Sequence, residues 1–175
     1  GARAQIAAML KAEAALARAQ GRLGIIPETA SGSVSETAEN LRPDPSELAA
    51  GMAAAGIAAQ PVIAALKSAC GGDGAWAHFG ATSQDIQDTG LVLQLRDALR
   101  IVEDRLADLE AVLHRKARDH AGLPIPARTR YQIAAPTTLG AKIAVWRAPL
   151  PRHRLRLDQL RPRLLNVSLH GAAGT

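Results

Sequence analysis

The sequence predicts an all-α protein built from closely packed helices. Hydrophobic residues make up 47% of the 175 residues, but aromatic residues only 2%, so Ala, Leu, Ile and Val must form the interior. In the second half, apolar residues recur in steps of four and three over two long stretches, which is the period of a helical bundle. A chain of this length can also bury a sizeable core.

The first 40 residues predict one helix and a connector. Residues 2–20 form a helix with one largely apolar side, made of Ile6, Met9, Leu10, Glu13, Leu16, Ala17 and Gln20. The glycines and the proline of GRLGIIP end it. No capping residue precedes it, which indicates that the protein continues upstream. Residues 28–40, ETASGSVSETAEN, are rich in Ser, Thr, Glu and Gly, and they are predicted to be a connector, with a short, poorly packed helix as the alternative.

A capping pattern marks the next helix. In DPSE, Asp44 suits the N-cap, Pro45 the first helical position and Glu47 the third. The helix is predicted to run toward Cys70, weakened by two glycines and bent at Pro61.

Two long helices are predicted to follow. Residues 83–119 contain no proline, and their apolar seam consists of Leu95, Leu99, Val102, Leu106, Leu109 and Leu113. The loop AGLPIPARTRYQIAAPTT ends this helix. The second seam consists of Leu139, Ile143, Trp146, Leu150, His153, Leu157, Leu160 and Leu164. Pro149, Pro151 and Pro162 are expected to kink or divide that helix.

Matching seams predict an antiparallel pair, which needs more helices from this chain or from partners. We therefore expect the N-terminal part of a longer, oligomeric protein.

The segment AHFGATSQDIQDTG concentrates polar side chains at the start of the first long helix. Thr82 or Ser83 suits the N-cap, with Gln84 or Asp85 bonding back to the first turn. The unpaired N–H groups and the helix dipole favour an anion such as a carboxylate.

Two residues of the preceding turn fit the same interpretation. Gly80 lets a ligand approach the backbone, and His78 can donate a hydrogen bond or transfer a proton. The alternative interpretation is a plain helix cap with a structural histidine.

A second polar segment, ARTRYQIAAPTTLG, precedes the second long helix. Arg128 and Arg130 can bind carboxylates, Gln132 can orient one, and Thr137 or Thr138 can cap the helix. The alternative is that these arginines are merely exposed to solvent. An antiparallel pair places the two helix starts at opposite ends, so only a neighbouring subunit could unite the two segments.

Other sequence features reduce the number of protein classes to which the chain can belong. The single cysteine, Cys70, permits no internal disulfide and no metal pair, and we interpret it as a buried thiol of a cytoplasmic protein. No apolar run approaches the roughly 20 residues of a membrane span, and no signal peptide is visible. The sequence lacks a phosphate-binding glycine loop, HExxH, paired CxxC and GxSxG. His114, His120 and His170 show no ligand spacing, so no metal is predicted.

The net charge of +5 is compatible with an anionic partner of any kind. The basic tract LPRHRLRLDQLRPRLL is interrupted by leucines at helical spacing and by Asp158. This pattern favours a solvated helix face over a nucleic-acid-binding patch, and the latter remains an alternative.

Several segments resemble one superfamily. HFGATSQDIQDTG resembles the HxGxTSxD segment of the fumarase/aspartase superfamily, and RTRYQIAAPTTLG resembles its RTH…Q…PTTxG segment. Within that superfamily HFGATSQDIQDTGLVLQLRDAL, KIAVWRAPLPRHRLRL and GAAGT are most similar to the bacterial carboxymuconate cycloisomerases, a lactonizing family. The resemblance spans nearly the whole chain.

The resemblance implies a homotetramer with a central bundle of long helices and active sites that combine segments of three subunits. Residues 1–81 would form a small N-terminal helical domain, and residues 82–175 the first long helices of the bundle. The catalytic residues would be His78, Thr82 and Ser83, which contact the substrate's carboxylates. Substrate-binding residues would be Gln84 and Asp85, which shape the turn, and Arg130 and Gln132, from another subunit.

The reaction that the resemblance implies needs no cofactor. One carboxylate of a small tricarboxylate adds to a double bond, and the neighbouring carbon receives a proton. Fumarases and adenylosuccinate lyases have histidine where this chain has Arg130, which counts against those lyases. The superfamily's GSSxMPxK loop does not occur in these 175 residues, so we expect them alone to be an incomplete catalyst. The alternatives are another lyase of the superfamily and a non-catalytic helical assembly module.

Overall fold

The computed structural model describes residues 1–174 and confirms the predicted helical fold class. The elements in chain order are α1 (Ala2–Arg22), α2 (Glu28–Asn40), α3 (Pro45–Ala55), α4 (Ala59–Ala69), a 3₁₀ helix (Gly71–Trp76), α5 (Ser83–Asp119), β1 (Pro124–Thr129), β2 (Gln132–Thr138), α6 (Leu139–Arg147) and α7 (Pro149–Leu164). The chain divides into two compact units. The first unit contains residues 1–96 and the segment from Leu165 onward, and the second contains residues 97–164. The domain boundary predicted between 81 and 82 stays a prediction.

The core of the first unit is aliphatic, as the composition predicts. Its largest fully buried apolar side chains are Met9, Leu10, Val34, Val62 and Leu66. The predicted apolar side of α1 is confirmed, because Ile6, Met9, Leu10, Glu13, Ala17 and Gln20 are buried and Leu16 packs against them. Cys70 is a buried free thiol, as predicted, and burial raises its pKa.

The predicted connector at residues 28–40 was wrong, because these residues form helix α2. Its buried face consists of Ala30, Ser31, Val34, Ser35 and Ala38. Small side chains let α2 lie close to α1, and the serine hydroxyls do not remain unpaired there. Ser31 Oγ donates to the carbonyl oxygen of Ala17 in α1 at 2.9 Å. Ser35 Oγ donates to the carbonyl oxygen of Ser31 within α2 at 2.7 Å and lies 3.3 Å from that of Ala14 in α1. Backbone carbonyl groups thereby satisfy both buried serines.

The single helix predicted from 45 to 70 is in fact two helices. Asp44 is the N-cap of α3, as predicted, and accepts the N–H of Ser46 at 2.9 Å. Helix α3 ends because Gly56 adopts a left-handed conformation with φ of 67°. Pro61 causes no bend, since it lies in the first turn of α4, where no intrahelical N–H donor is needed.

The predicted loop between the long helices was also wrong, because it contains a β-hairpin. Strands β1 and β2 pair in antiparallel register, with Thr129 opposite Gln132, so Arg130 and Tyr131 form the turn. Proline suits a strand only where its missing N–H is not needed, which is a condition that edge strands meet. Both strands of a two-stranded sheet are edges, and Pro126 indeed lies opposite Pro136.

The long helix α5 is confirmed, with the bounds that the sequence predicts. The second stretch is divided, as predicted, since α6 ends at Arg147 and α7 begins at Pro149. In the second unit Glu110 pairs with Arg147 at 3.1 Å and with Arg154 at 3.3 Å, and Glu103 pairs with Arg161. The order of these pairs confirms that the two stretches are antiparallel.

None of the described helices has both the length and the apolar content that crossing a membrane requires.

Candidate active site

The turn before α5 holds His78 in a strained backbone conformation. The φ of His78 is 61° and that of Gly80 is 69°, so both residues are left-handed. Glycine adopts this conformation freely, whereas a residue with a Cβ atom loses about 1 to 2 kcal/mol. Strained residues of this kind persist where their surroundings fix them, and they cluster at functional sites. The backbone therefore marks the turn as a candidate site.

Two polar side chains of α1 hold this turn. Nδ1 of His78 lies 2.7 Å from Oε1 of Glu13, and Nε2 of Gln20 donates to the carbonyl oxygen of Phe79 at 2.7 Å. Glu13 is 1% exposed and Gln20 is 8% exposed. The turn is thus fastened to the first helix at two consecutive residues.

Sequence reasoning missed both anchors as site residues. The helical pattern places Glu13 and Gln20 on the apolar side of α1 and predicts no site role for them. They are seven residues apart, which is close to two helical turns, so they share that side. A carboxylate within an otherwise apolar stripe is the signal, because acidic residues are rarely buried without a partner.

Helix α5 begins as the polar segment predicts. Oδ2 of Asp85, the third helical residue, accepts the N–H of Thr82 at 3.0 Å, which confirms the predicted bond back to the first turn. Thr82 and Ser83 are half-buried. Gln84 is exposed and donates to Oδ1 of Asp88 at 2.7 Å.

The C-terminal segment of the first unit folds onto the same turn. The N–H of His170 donates to Oδ1 of Asp85 at 2.9 Å, and the N–H of Gly171 donates to Oδ2 at 3.0 Å. A Cβ atom added to Gly171 would lie 3.4 Å from the carbonyl oxygen of Gly80. The His170 ring is mostly exposed, and its Nδ1 lies 3.2 Å from Oγ of Ser168. No local sequence pattern predicts this contact, which joins residues more than 80 positions apart.

Asp85 is a buried anion that organises the backbone. Burial by itself raises the pKa of this carboxyl, but the N–H donors of Thr82, His170 and Gly171 outweigh burial and lower the pKa below its ordinary value. Both oxygens of Asp85 are thus engaged by backbone donors. This arrangement supports the predicted role of Asp85 in shaping the turn.

The remaining candidates lie in the second unit. Arg130 and Gln132 are exposed at the turn of the hairpin, next to Tyr131, which is 97% exposed and left-handed with φ of 62°. Thr138 caps α6 by accepting the N–H of Ala141 at 3.1 Å, as predicted. The structure therefore brings together, in the first unit, His78, Thr82, Ser83, Gln84 and Asp85.

The first-unit site has the groups needed to bind a carboxylate and to move a proton. The hydroxyl groups of Thr82 and Ser83 lie at the positive end of a 37-residue helix. His78 supplies an imidazole within the same turn. Among residues 1–174, no three His, Cys, Asp or Glu side chains are grouped so as to hold a metal ion.

The chain belongs to a family of lyases. The family model described as Lyase matches residues 3–175. The fold is that of the fumarase/aspartase superfamily, as the sequence motifs predict.

Three individual proteins show how similar the chain is to members of this family. The chain is 45% identical to a 3-carboxy-cis,cis-muconate cycloisomerase of Pseudomonas aeruginosa over 99% of its own length and 39% of the relative's. It is 38% identical to an adenylosuccinate lyase of Pyrococcus horikoshii, over 95% of this chain and 37% of the relative. The crystal structure of the 3-carboxy-cis,cis-muconate lactonizing enzyme of Pseudomonas putida superposes with a TM-score of 0.96 at 43% identity, covering 100% of this chain and 40% of that one. The chain thus spans about two-fifths of the length of its relatives.

Proposed function

We propose that the whole protein is a cycloisomerase that interconverts 3-carboxy-cis,cis-muconate and 4-carboxymuconolactone, in the protocatechuate branch of aromatic catabolism. The observation that carries this proposal is the 45% identity to a protein of that activity along nearly the entire chain. The identity to an adenylosuccinate lyase over a similar span is 38%.

The residue at position 130 supports the same choice. The superfamily resemblance places histidine at this position in fumarases and adenylosuccinate lyases, whereas this chain has Arg130 at an exposed hairpin turn. A guanidinium is permanently charged and can bind a carboxylate through two hydrogen bonds, but it cannot exchange a proton at neutral pH. Arg130 therefore suits substrate binding and is unsuited to the acid–base role of a histidine.

The groups of the first unit suit the chemistry of lactone formation. A carboxylate oxygen forms a bond to one carbon of a C=C double bond, the π electrons move to the neighbouring carbon, and that carbon takes a proton. In the reverse direction, a proton is removed next to a carboxylate and negative charge spreads onto the carboxylate oxygens; the lactone C–O bond then breaks as the double bond forms again, and the ring oxygen leaves as a carboxylate. The helix N-terminus with Thr82 and Ser83 would stabilise this charge, and His78 would contact the substrate's carboxylates.

The proposal extends to the assembly. We infer a cytoplasmic homotetramer in which Arg130 and Gln132 act on substrate held by another subunit, with no nucleic-acid or membrane partner. Exposed apolar side chains along α5 support an assembly larger than this chain. They are Leu91, Ile101, Val102, Leu109 and Val112.

A comparison of two substrates tests the proposed activity. The whole protein is purified and supplied separately with 3-carboxy-cis,cis-muconate and with adenylosuccinate, and the loss of each is followed by ultraviolet absorbance. We expect rapid consumption of the muconate only. Cleavage of adenylosuccinate, with muconate consumed no faster than in buffer, would replace the proposal with the lyase alternative.

Two substitutions test the alternative of a non-catalytic assembly module. His78→Ala and Ser83→Ala are expected to lower kcat/KM for the muconate by at least about tenfold, which corresponds to about 1.4 kcal/mol of transition-state stabilisation. A matched control is Asp88→Asn, because Asp88 contacts only exposed Gln84 among the described hydrogen bonds. Unchanged activity in both site variants would show that the polar segment is a plain helix cap.

A further inference from the structure

We propose that Glu13 is a positioning residue for His78 and that the pair acts as one proton-transfer unit. The inference rests on the proposed function, because it assigns the orientation of an imidazole within that site. It adds helix α1, which the sequence motifs leave out, to the functional machinery.

The contact between the two side chains selects one form of the imidazole. A carboxylate can only accept hydrogen bonds, so the 2.7 Å contact between Oε1 of Glu13 and Nδ1 of His78 places the proton on Nδ1. The neutral ring then carries its lone pair on Nε2. Nε2 can therefore take a proton from a ligand, and Glu13 stabilises the imidazolium that results.

Burial makes the pair unlike an ordinary surface ion pair. The side chain of Glu13 is 1% exposed and that of His78 is 13% exposed. Solvent therefore screens the interaction between the two side chains only weakly.

The other oxygen of Glu13 argues against a purely structural role. Among the described residues, Oε2 of Glu13 is buried and has no hydrogen-bond partner, whereas buried Asp85 has three backbone donors. A buried acceptor without a partner destabilises the fold by about 1 to 3 kcal/mol. An apolar residue would serve packing better at this position, so the carboxylate is explained by its contact with His78.

The backbone of the turn supports the same role. Gln20 holds the carbonyl oxygen of Phe79 at 2.7 Å, and His78 itself is left-handed. The main chain next to the imidazole and the imidazole itself are thus fixed by the same helix. Such double fixation limits how far Nε2 can move.

Two variants of Glu13 in the whole protein separate positioning from packing. Glu13→Leu removes both charge and acceptor, and Glu13→Gln removes the charge while keeping an oxygen. Ser35→Ala is the matched control, because Ser35 is also buried and its Oγ lies 3.3 Å from the carbonyl oxygen of Ala14 in α1, without contacting His78. Solid-state NMR of protein labelled with ¹⁵N-histidine reports which ring nitrogen is protonated, and subtraction of a His78→Gln spectrum assigns the signal.

We expect wild-type His78 to be protonated on Nδ1 at alkaline pH and Glu13→Leu to shift the proton to Nε2. Both Glu13 variants should lower kcat by at least about tenfold, with KM changed by less than about twofold. Ser35→Ala should lower stability, because it removes a buried hydrogen bond, and should leave kcat unchanged.

An unchanged tautomer in Glu13→Leu, or an unchanged kcat in both Glu13 variants, would overturn the inference. If Glu13→Leu fails to fold, the kcat of Glu13→Gln tests the inference, and an unchanged kcat in that variant overturns it. The tautomer shift needs no substrate. If the wild-type protein does not consume the muconate but Glu13→Leu still shifts the proton to Nε2, the proposed function is refuted and the role of Glu13 in orienting His78 stands.

Discussion

The carboxylate of Asp85 accepts the backbone N–H of Gly171 at 3.0 Å, although 86 residues separate the two in sequence. The same carboxylate accepts the N–H groups of Thr82 and His170. One buried charge thus joins the start of α5 to the C-terminal segment of the first unit.

Replacing this charge should loosen that junction. Asp85→Asn places an amide group where three N–H donors converge, so at least one donor loses its acceptor. We expect the free energy of unfolding to fall by about 1 to 3 kcal/mol in urea titrations. Asp88→Asn, a change of the same type three residues away, should alter it by less than about 0.5 kcal/mol. Equal effects of the two changes would contradict the role assigned to Asp85.

The contribution of Asp85 should also depend on pH. Its pKa is lower in the folded state than the ordinary value of 3.8, so its stabilisation is complete above that value. As the pH falls through the folded pKa, the carboxylate is protonated and the stabilisation is lost. The stability difference between wild type and Asp85→Asn should therefore shrink below pH 3.8 in urea titrations repeated at decreasing pH. A difference that stays constant would show that the charge is not its source.

Two glycines in the α1–α2 pair should respond in opposite directions. A Cβ atom at Gly21 would overlap Cβ and Oγ of Ser31, so Gly21→Ala should destabilise the protein by about 1 to 3 kcal/mol. A Cβ atom at Gly32 meets nothing within 4 Å, and Gly32→Ala should stabilise α2 by about 0.5 to 1 kcal/mol. Thermal unfolding measures both. A loss of stability in Gly32→Ala would contradict the packing described for α2.

Tyr131 offers a test of backbone strain in the hairpin. It is almost fully exposed and left-handed, so its ring gains little from packing while its backbone is disfavoured. Asparagine tolerates this conformation better, and Tyr131→Asn should raise stability by up to about 1 kcal/mol. Ile133→Asn is the control, because Ile133 is an exposed strand residue without strain and should lose stability instead. Calorimetry of the whole protein measures the unfolding temperatures of both variants and of the wild type.

Mixed assemblies test whether the polar segments of different subunits share one site. Whole proteins carrying His78→Ala or Arg130→Ala are each expected to be nearly inactive. In the proposed tetramer, assemblies formed from both variants should contain some sites with neither change, and activity should rise at least about tenfold above either parent. A mixture of His78→Ala and Ser83→Ala should stay inactive, since both residues lie in the same segment. No recovery in the first mixture would show that each subunit supplies both segments.

The parts of the fold that sequence alone predicted depend on local signals. Helix α5 was predictable because a long run without proline carries a regular apolar seam, and the caps at Asp44 and Thr138 follow from short-range hydrogen bonds. Helix α2 was missed because its buried face uses serine and alanine, which are typical of loops when considered without their partner helix. The hairpin was missed because prolines usually exclude strands, and the exception depends on having no further strand alongside.

The candidate site divides in the same way. The cap of α5 and the bond from Asp85 to Thr82 span three residues and were predictable. The contacts of Asp85 with Gly171 and of His78 with Glu13 span 86 and 65 residues, and only the packed chain forms them. The backbone strain at His78 depends on the same packing, because no local pattern requires a left-handed histidine.

The contact between Glu13 and His78 also bears on protein engineering. Grafting residues 77–90 onto a scaffold without a carboxylate at the position of Glu13 would transfer the imidazole without the group that orients it, and the transplanted histidine would be free to adopt the other tautomer. Chimeras intended to exchange specificity within this family should therefore place their crossover points upstream of α1 and exchange the first helix together with the motif.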